Sequence, residues 1–240
     1  IEAVNWQSTL AFPGVLTILC LIITLLFTES LPAEEKLSGS IPSVFKRMIG
    51  ICRHKSFMAF LLSMGMFSLP FMAYLAVSSY IFVEGFGLAG TTYSYLLATN
   101  AVLGTVGMLI LQRLTKGGSN KSMGVVVIIL SLVSSLIMLS VGYLNPAVCF
   151  IGMTFCVVAA FAARPYALAI LMNQFDGDTG SVSSVFNFTL VFIGCLGMAA
   201  GTLPWPTYII GLGVCSLFAG VAAAVLMAAA VKAKVPLKGL

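Results

Sequence analysis

Residues 57–82 read FMAFLLSMGMFSLPFMAYLAVSSYIF, twenty-six consecutive positions without a charged side chain. A helix rising about 1.5 Å per residue crosses the roughly 30 Å of hydrocarbon in a bilayer with about 20 residues, so this stretch is long enough to span. It has counterparts on both sides. Runs at 7–27, 91–112, 123–143, 147–171, 181–203 and 207–231 are equally apolar and hold a single charged residue among them, Arg164. Across the 240 residues, 60% are hydrophobic and 8% charged, with a mean hydropathy of +1.10, whereas a soluble domain carries about 25% charged residues. A water-soluble globular protein is excluded, and the pattern predicts an all-α integral membrane protein with seven transmembrane helices.

The connections are short except for Thr28 to Ser56, which holds Glu29, Glu34, Glu35, Lys36, Lys46, Arg47, Arg53, His54 and Lys55 and reads as a charged linker. The chain opens Ile1-Glu2-Ala3 with neither a Met nor a basic leader, and its first apolar run has full membrane length, so it is expected to begin partway through a longer protein. Lys and Arg are retained on the cytoplasmic side of a membrane. They cluster after the first span, after the third (Arg113, Lys116, Lys121) and in the tail (Lys232, Lys234, Lys238), and are missing after the second, fourth and sixth. This alternation predicts an N-terminus outside and a C-terminus in the cytoplasm, and the plasma membrane is the expected location. The loop from Asn173 to Gly180 should then be cytoplasmic although it holds Asp176 and Asp178, and acids weigh little in the rule. The net charge of +5 thus reports topology and contact with anionic lipid rather than a nucleic-acid partner.

Enzyme chemistry lacks its residue types. His54 is the single histidine, and the six cysteines form no CxxC pair, so neither a metal site nor a Cys–His or Ser–His–Asp arrangement is expected, and the cysteines read as small packing residues. No phosphate-binding glycine loop is present, and no cofactor is expected. No Asp or Glu lies near the middle of a span, Glu84 standing at the outer end of the second, so a carboxylate proton relay is missing from this stretch.

Polar groups inside spans are costly and mark cavities or helix contacts. The first, fourth and seventh spans hold only small hydroxyls and thiols, such as Thr17, Thr24, Ser131, Ser134, Ser135 and Ser216. The second lines one helical face with Phe67, Phe71, Tyr74 and Ser78, and the third with Tyr93, Asn100, Gly104 and Gly107; Phe161 and Arg164 share a face on the fifth, and Ser184, Asn187 and Gly194 on the sixth. Phe71, Tyr74, Asn100 and Asn187 are the candidate substrate-binding residues, the alternative for the rings being packing and for the amides an interhelical hydrogen bond. Arg164, followed by Pro165, must pair, snorkel or face water, and is the candidate gating charge. Gly194, Gly197 and Gly201 permit close helix contact, and Pro204-Trp205-Pro206 reads as an interfacial turn with an aromatic anchor.

Several short elements, in order, resemble the major facilitator superfamily, and within it the Bcr/CflA drug-resistance subfamily. Thr28-Glu29-Ser30-Leu31-Pro32 is similar to the element closing the sixth helix. Gly107 through Arg113-Leu114, with Lys116, Gly117 and Lys121, resembles a degenerate copy of the loop motif between helices eight and nine, although Leu111 and Gln112 stand where an Asp is expected, so no gating salt bridge is assigned. Arg164-Pro165 and Gly180-Ser181-Val182-Ser183-Ser184 resemble the tenth-helix proline and the start of the eleventh. The resemblance implies the C-terminal part of a twelve-helix fold: 1–27 as the sixth helix, 28–56 as the cytoplasmic interdomain linker and 57–240 as the C-terminal six-helix bundle. It places the three bland spans on the lipid side. It further implies proton-coupled efflux of an amphipathic small molecule by alternating access, in partnership with the missing N-terminal half. Metabolite or sugar uptake, or a non-transporting helix-bundle subunit, are the alternatives; a seven-helix retinal protein would need a lysine buried in the last span, where only the terminal Lys232 stands.

Overall fold

The computed structural model describes residues 6–27, 41–115, 120–175 and 178–232. Its regular elements are helices: α1 (Trp6–Leu25), α2 (Ile41–Cys52), α3 (Lys55–Gly65), α4 (Ser68–Ser79) running into a π-helical turn (Tyr80–Gly85), α5 (Gly90–Thr115), α6 (Asn120–Ser140), α7 (Pro146–Met172), α8 (Thr179–Gly201) and α9 (Tyr208–Lys232). Residues 28–40, Lys116, Gly117, Asp176, Lys234 and Lys238, which enter the sequence motifs and the charge pattern, lie outside the described residues, as do the side chains of Lys121 and Lys232.

The chain divides into two compact units, Ile1–Pro42 and Ser43–Leu240. In the first, the Thr17 and Thr24 hydroxyls of α1 donate to the carbonyls of Pro13 and Cys20, each at 2.8 Å. A helix in hydrocarbon satisfies stray hydroxyls in this way. In the second unit, six segments are long and apolar enough to cross a membrane: Lys55–Gly85, Gly90–Thr115, Ser122–Ser140, Pro146–Met172, Thr179–Gly201 and Tyr208–Ala230. They fall within a few residues of the six runs read from the sequence.

Two local features differ from the expectation. Part of the stretch read as linker is α2, whose Val44, Met48 and Ile51 share one helical stripe; Ile51 is buried and Met48 half-buried while Lys46 and Arg47 are exposed. At 12 residues it is too short to register as a span, and its charges masked its periodicity. The span at 57–82 is also not one helix. Pro70 has no N–H to offer the carbonyl of Met66, which accepts instead from Leu69 N at 3.1 Å, so the chain tightens between α3 and α4. At the far end the helix widens: Phe86 N reaches Ile81 O and Leu88 N reaches Phe82 O, both at 3.0 Å, and Gly87 takes a positive φ of 69° to close the turn.

Helix starts are set by capping side chains. Asn145 Oδ1 accepts from Ala147 N at 2.8 Å, with Pro146 in the first position of α7. Asp178 Oδ1 accepts from Ser181 N at 3.2 Å at the start of α8, which gives one of the two loop acids a structural role at the positive end of a helix dipole.

Packing within the second unit rests on small residues. A Cβ on Gly197 would lie 2.7 Å from the carbonyl carbon of Leu69 and collide with its oxygen, and one on Gly194 would lie 2.8 Å from Met72 Cγ. α8 therefore meets α4 almost backbone to backbone. α6 packs against both α9 and α7. Not every serine bonds back to its own helix: buried Ser63, Ser131 and Ser134 donate to the carbonyls of Ala223, Ser216 and Gly152 at 2.9, 3.0 and 2.8 Å. Each ties two helices together. Ser63→Ala is expected to destabilise the bundle by about 0.6 kcal/mol, the average for such bonds in membrane proteins, measured as a shift of the unfolding midpoint in a detergent titration.

Candidate functional site

The sequence-predicted residues assemble at two depths. Asn100 lies ten residues into α5, about 15 Å along its axis, which is near mid-span. Its Nδ2 donates to Tyr74 Oη at 3.1 Å, and both side chains are buried, 1% and 3% exposed. Asn100 Oδ1, equally buried, finds no donor among the described residues. The next turn of α4 brings Ser78 Oγ to 2.9 Å from Tyr93 Oη. Phe71, half-buried, meets Phe161 of α7 edge to face with centroids 5.5 Å apart.

The glycines of α5 explain how three helices converge here. A Cβ on Gly104 would stand 2.7 Å from Val157 Cγ1 and 3.2 Å from Phe161, and one on Gly107 would stand 2.7 Å from Val158. The Tyr93, Asn100, Gly104 and Gly107 face thus seats against α7 and α4. The result is a mid-span layer of aromatic rings and hydroxyls with one open acceptor and no charge.

Arg164 and Asn187 form the other group. Arg164 lies eight residues before the end of α7 and Asn187 eight residues after the start of α8, each about 12 Å in from the end of its helix. Arg164 Nη2 donates to Asn187 Oδ1 across a long 3.5 Å, and Asn187 Nδ2 donates to Ser183 O at 2.9 Å. Both side chains are exposed. Of the fates open to Arg164, the structure shows pairing with a neutral amide, and no acidic partner is found among the described residues. Ser184, on the same helical face as Asn187, donates to Gly180 O at 2.8 Å.

Sequence reasoning did not single out Pro70, which breaks the helix just before Phe71 and Tyr74. The signal was a proline thirteen residues into an apolar run. Among the described residues no group of three His, Cys, Asp or Glu side chains is placed to hold a metal ion.

A discontinuous membrane helix beside a mid-span polar layer is the architecture of secondary transporters. The sequence model of the Major Facilitator Superfamily matches residues 1–198. The chain belongs to this superfamily. Its members are membrane transporters rather than enzymes, so the chain is an integral membrane protein of a transporter family, and its membrane-length helices are those of a major facilitator fold. A relative from Bacillus subtilis (strain 168), named as the uncharacterized MFS-type transporter YdgK, is 22% identical over 183 residues, which cover 75% of this chain and 45% of that protein. The chain therefore spans about half the length of the curated relative it matches.

Proposed function

We propose that the chain supplies the C-terminal part of a Bcr/CflA-like transporter that exports amphipathic drugs against a proton gradient. Residues 1–27 take the place of the sixth helix, 28–56 link the halves on the cytoplasmic side, and 57–240 form one bundle that rocks against an N-terminal bundle around a midplane site. The protein sits in the plasma membrane with this segment's N-terminus outside and its C-terminus in the cytoplasm. The proton-binding carboxylate belongs to the N-terminal bundle.

The observation that carries this reading is the make-up of the mid-span layer. Phe71, Phe161, Tyr74 and Tyr93 offer ring surface, and Asn100 Oδ1 is the one open acceptor among them. A sugar presents a hydroxyl on nearly every carbon and needs a matching set of polar partners, because an unpaired buried polar group is expensive. An aromatic, amphipathic molecule needs ring faces and one or two hydrogen bonds. In the conformation described, Tyr74 and Asn100 are closed off, so Phe71 and Asn187 contact the substrate first and the pair is reached when the helices part. Arg164 acts as a gating charge, leaving Asn187 for an anionic partner on the opposite bundle in one state of the cycle.

The test is export of ethidium, a lipophilic aromatic cation, from proteoliposomes of the full-length transporter under an imposed pH gradient. Arg164→Ala is expected to lower the gradient-driven rate at least tenfold, whereas Phe71→Ala and Asn187→Ala change it in a substrate-dependent manner. If no gradient drives any lipophilic drug, the efflux reading fails.

A further inference from the structure

At the end of the second unit opposite Arg113 and Arg164, a cavity of about 390 Å³ opens among Tyr80, Glu84, Phe86, Tyr143 and Tyr208. We propose that it binds a small organic cation of the alkylammonium class, with the Glu84 carboxylate as counter-charge and the tyrosine rings as its walls. The proposal rests on equilibrium binding at this cavity and stands whether or not the chain takes part in drug export.

Charge is the first argument. Glu84 is the one charged residue between Lys55 and Arg113, and the other connections at its end, 141–145 and 202–207, contain none. Glu84 is exposed, and among the described residues no basic side chain at that end neutralises it. A lone anion beside low-dielectric walls draws cations.

The walls supply the second. Tyr80 comes from the π-helical turn, Tyr143 from the connection between α6 and α7, and Tyr208 from the start of α9. Tyr80 and Tyr208 stand with centroids 5.9 Å apart and planes inclined at 42°, making a corner. The three rings are 46%, 55% and 39% exposed, open rather than consumed by packing. Tyrosines at the ends of membrane helices form aromatic belts, which accounts for their depth but not for three of them, from three separate elements, lining one cavity together with a carboxylate. Tyr80 and Glu84, four residues apart in the π-helical turn, a rare geometry often found at functional sites, line the same cavity.

Chemistry selects among cations. One carboxylate falls far short of the six to eight oxygens that calcium takes, whereas ring faces around a single anion are how alkylated ammonium groups are held. The volume lies within the range of small-molecule sites, roughly 300–1,000 Å³. The ammonium comes either from a soluble cation or from the choline headgroup of a neighbouring lipid.

The test is isothermal titration of the full-length transporter with tetraethylammonium chloride, without a gradient, first in maltoside micelles and then in nanodiscs of phosphatidylethanolamine or phosphatidylcholine. One saturable site is expected that weakens at least tenfold in Glu84→Gln and in Tyr208→Leu but stays within twofold of wild type in Tyr208→Phe, since the ring and not the hydroxyl meets the cation. Relative to micelles, weaker apparent binding in phosphatidylcholine alone would identify the choline headgroup as occupant, weaker binding in both lipids a lipid ammonium of either kind, and undiminished binding in both a soluble cation; each supports the site. The proposal is overturned if wild-type binding does not saturate, if Glu84→Gln binds like wild type, or if Tyr208→Phe is as deficient as Tyr208→Leu.

Discussion

Replacing Gly197 with valine is expected to prevent the second unit from folding. Gly197 meets the carbonyl group of Leu69 with no room for a Cβ, whose position would be 2.7 Å from the carbonyl carbon and 2.8 Å from Leu69 Cα. Overpacking among side chains costs about 1–3 kcal/mol because a neighbour rotates aside. Here the neighbour is backbone, held in α4 beside the Pro70 break, and it has no rotamer to change. Valine would force α8 off α4 along its length, taking with it the contacts of Gly194 with Met72 and Gly201 with Ala73. The measurement is the yield of monodisperse protein in size-exclusion chromatography and its melting temperature in detergent. Gly50→Ala is the control: no atom lies within 4 Å of a Cβ there, so alanine should be neutral or stabilise α2 by up to about 1 kcal/mol through helix propensity. If Gly197→Val melts like wild type, the close contact between α4 and α8 is not needed for the fold.

Asn100→Leu should separate stability from function. Asn100 contributes one hydrogen bond, to Tyr74, and buries a second polar atom, Oδ1, that no described residue satisfies. Leucine of similar size removes that orphan, which is worth about 1–3 kcal/mol, and strands the Tyr74 hydroxyl at a comparable cost. The net change in melting behaviour is expected to be small. Adding Tyr74→Phe removes the stranded hydroxyl, so the double variant should be at least as stable as wild type. Transport should move the other way, falling at least tenfold in both variants, because the open acceptor of the mid-span layer is gone. Thermal unfolding and gradient-driven export on the same preparations check both halves, and unchanged transport would reduce Asn100 and Tyr74 to packing residues.

The two amides illustrate how far residue spacing carries. Spacing put Asn100 on one face with Tyr93, Gly104 and Gly107, and the structure seats that face against α4 and α7. What spacing left open was whether each amide meets a helix or open space. Asn100 is buried against Tyr74, while Asn187 stays exposed and holds Arg164 at arm's length. The serines divide similarly. Ser140 donates to Leu136 O within α6, but Ser131 and Ser134 of the same helix cross to Ser216 and Gly152, and nothing local to their sequence separates the two cases.

By itself the sequence determined that the chain lives in a membrane and where six of its spans lie, because a bilayer demands uninterrupted apolar helices of a set length and confines charge to their ends. The breaks and starts of helices are local as well, since Pro70, Asn145 with Pro146, and Asp178 act on their own backbone, although they are recognised only in the structure. Tertiary structure alone decided which groups meet, since the hydrogen bond of Asn100 to Tyr74, the close approach of Gly197 to Leu69 and the shared cavity of Glu84, Tyr143 and Tyr208 join residues far apart in the chain. Helical periodicity places a side chain on its own helix. Which neighbour that face receives depends on how the helices cross, and that is settled by the packing of all of them at once.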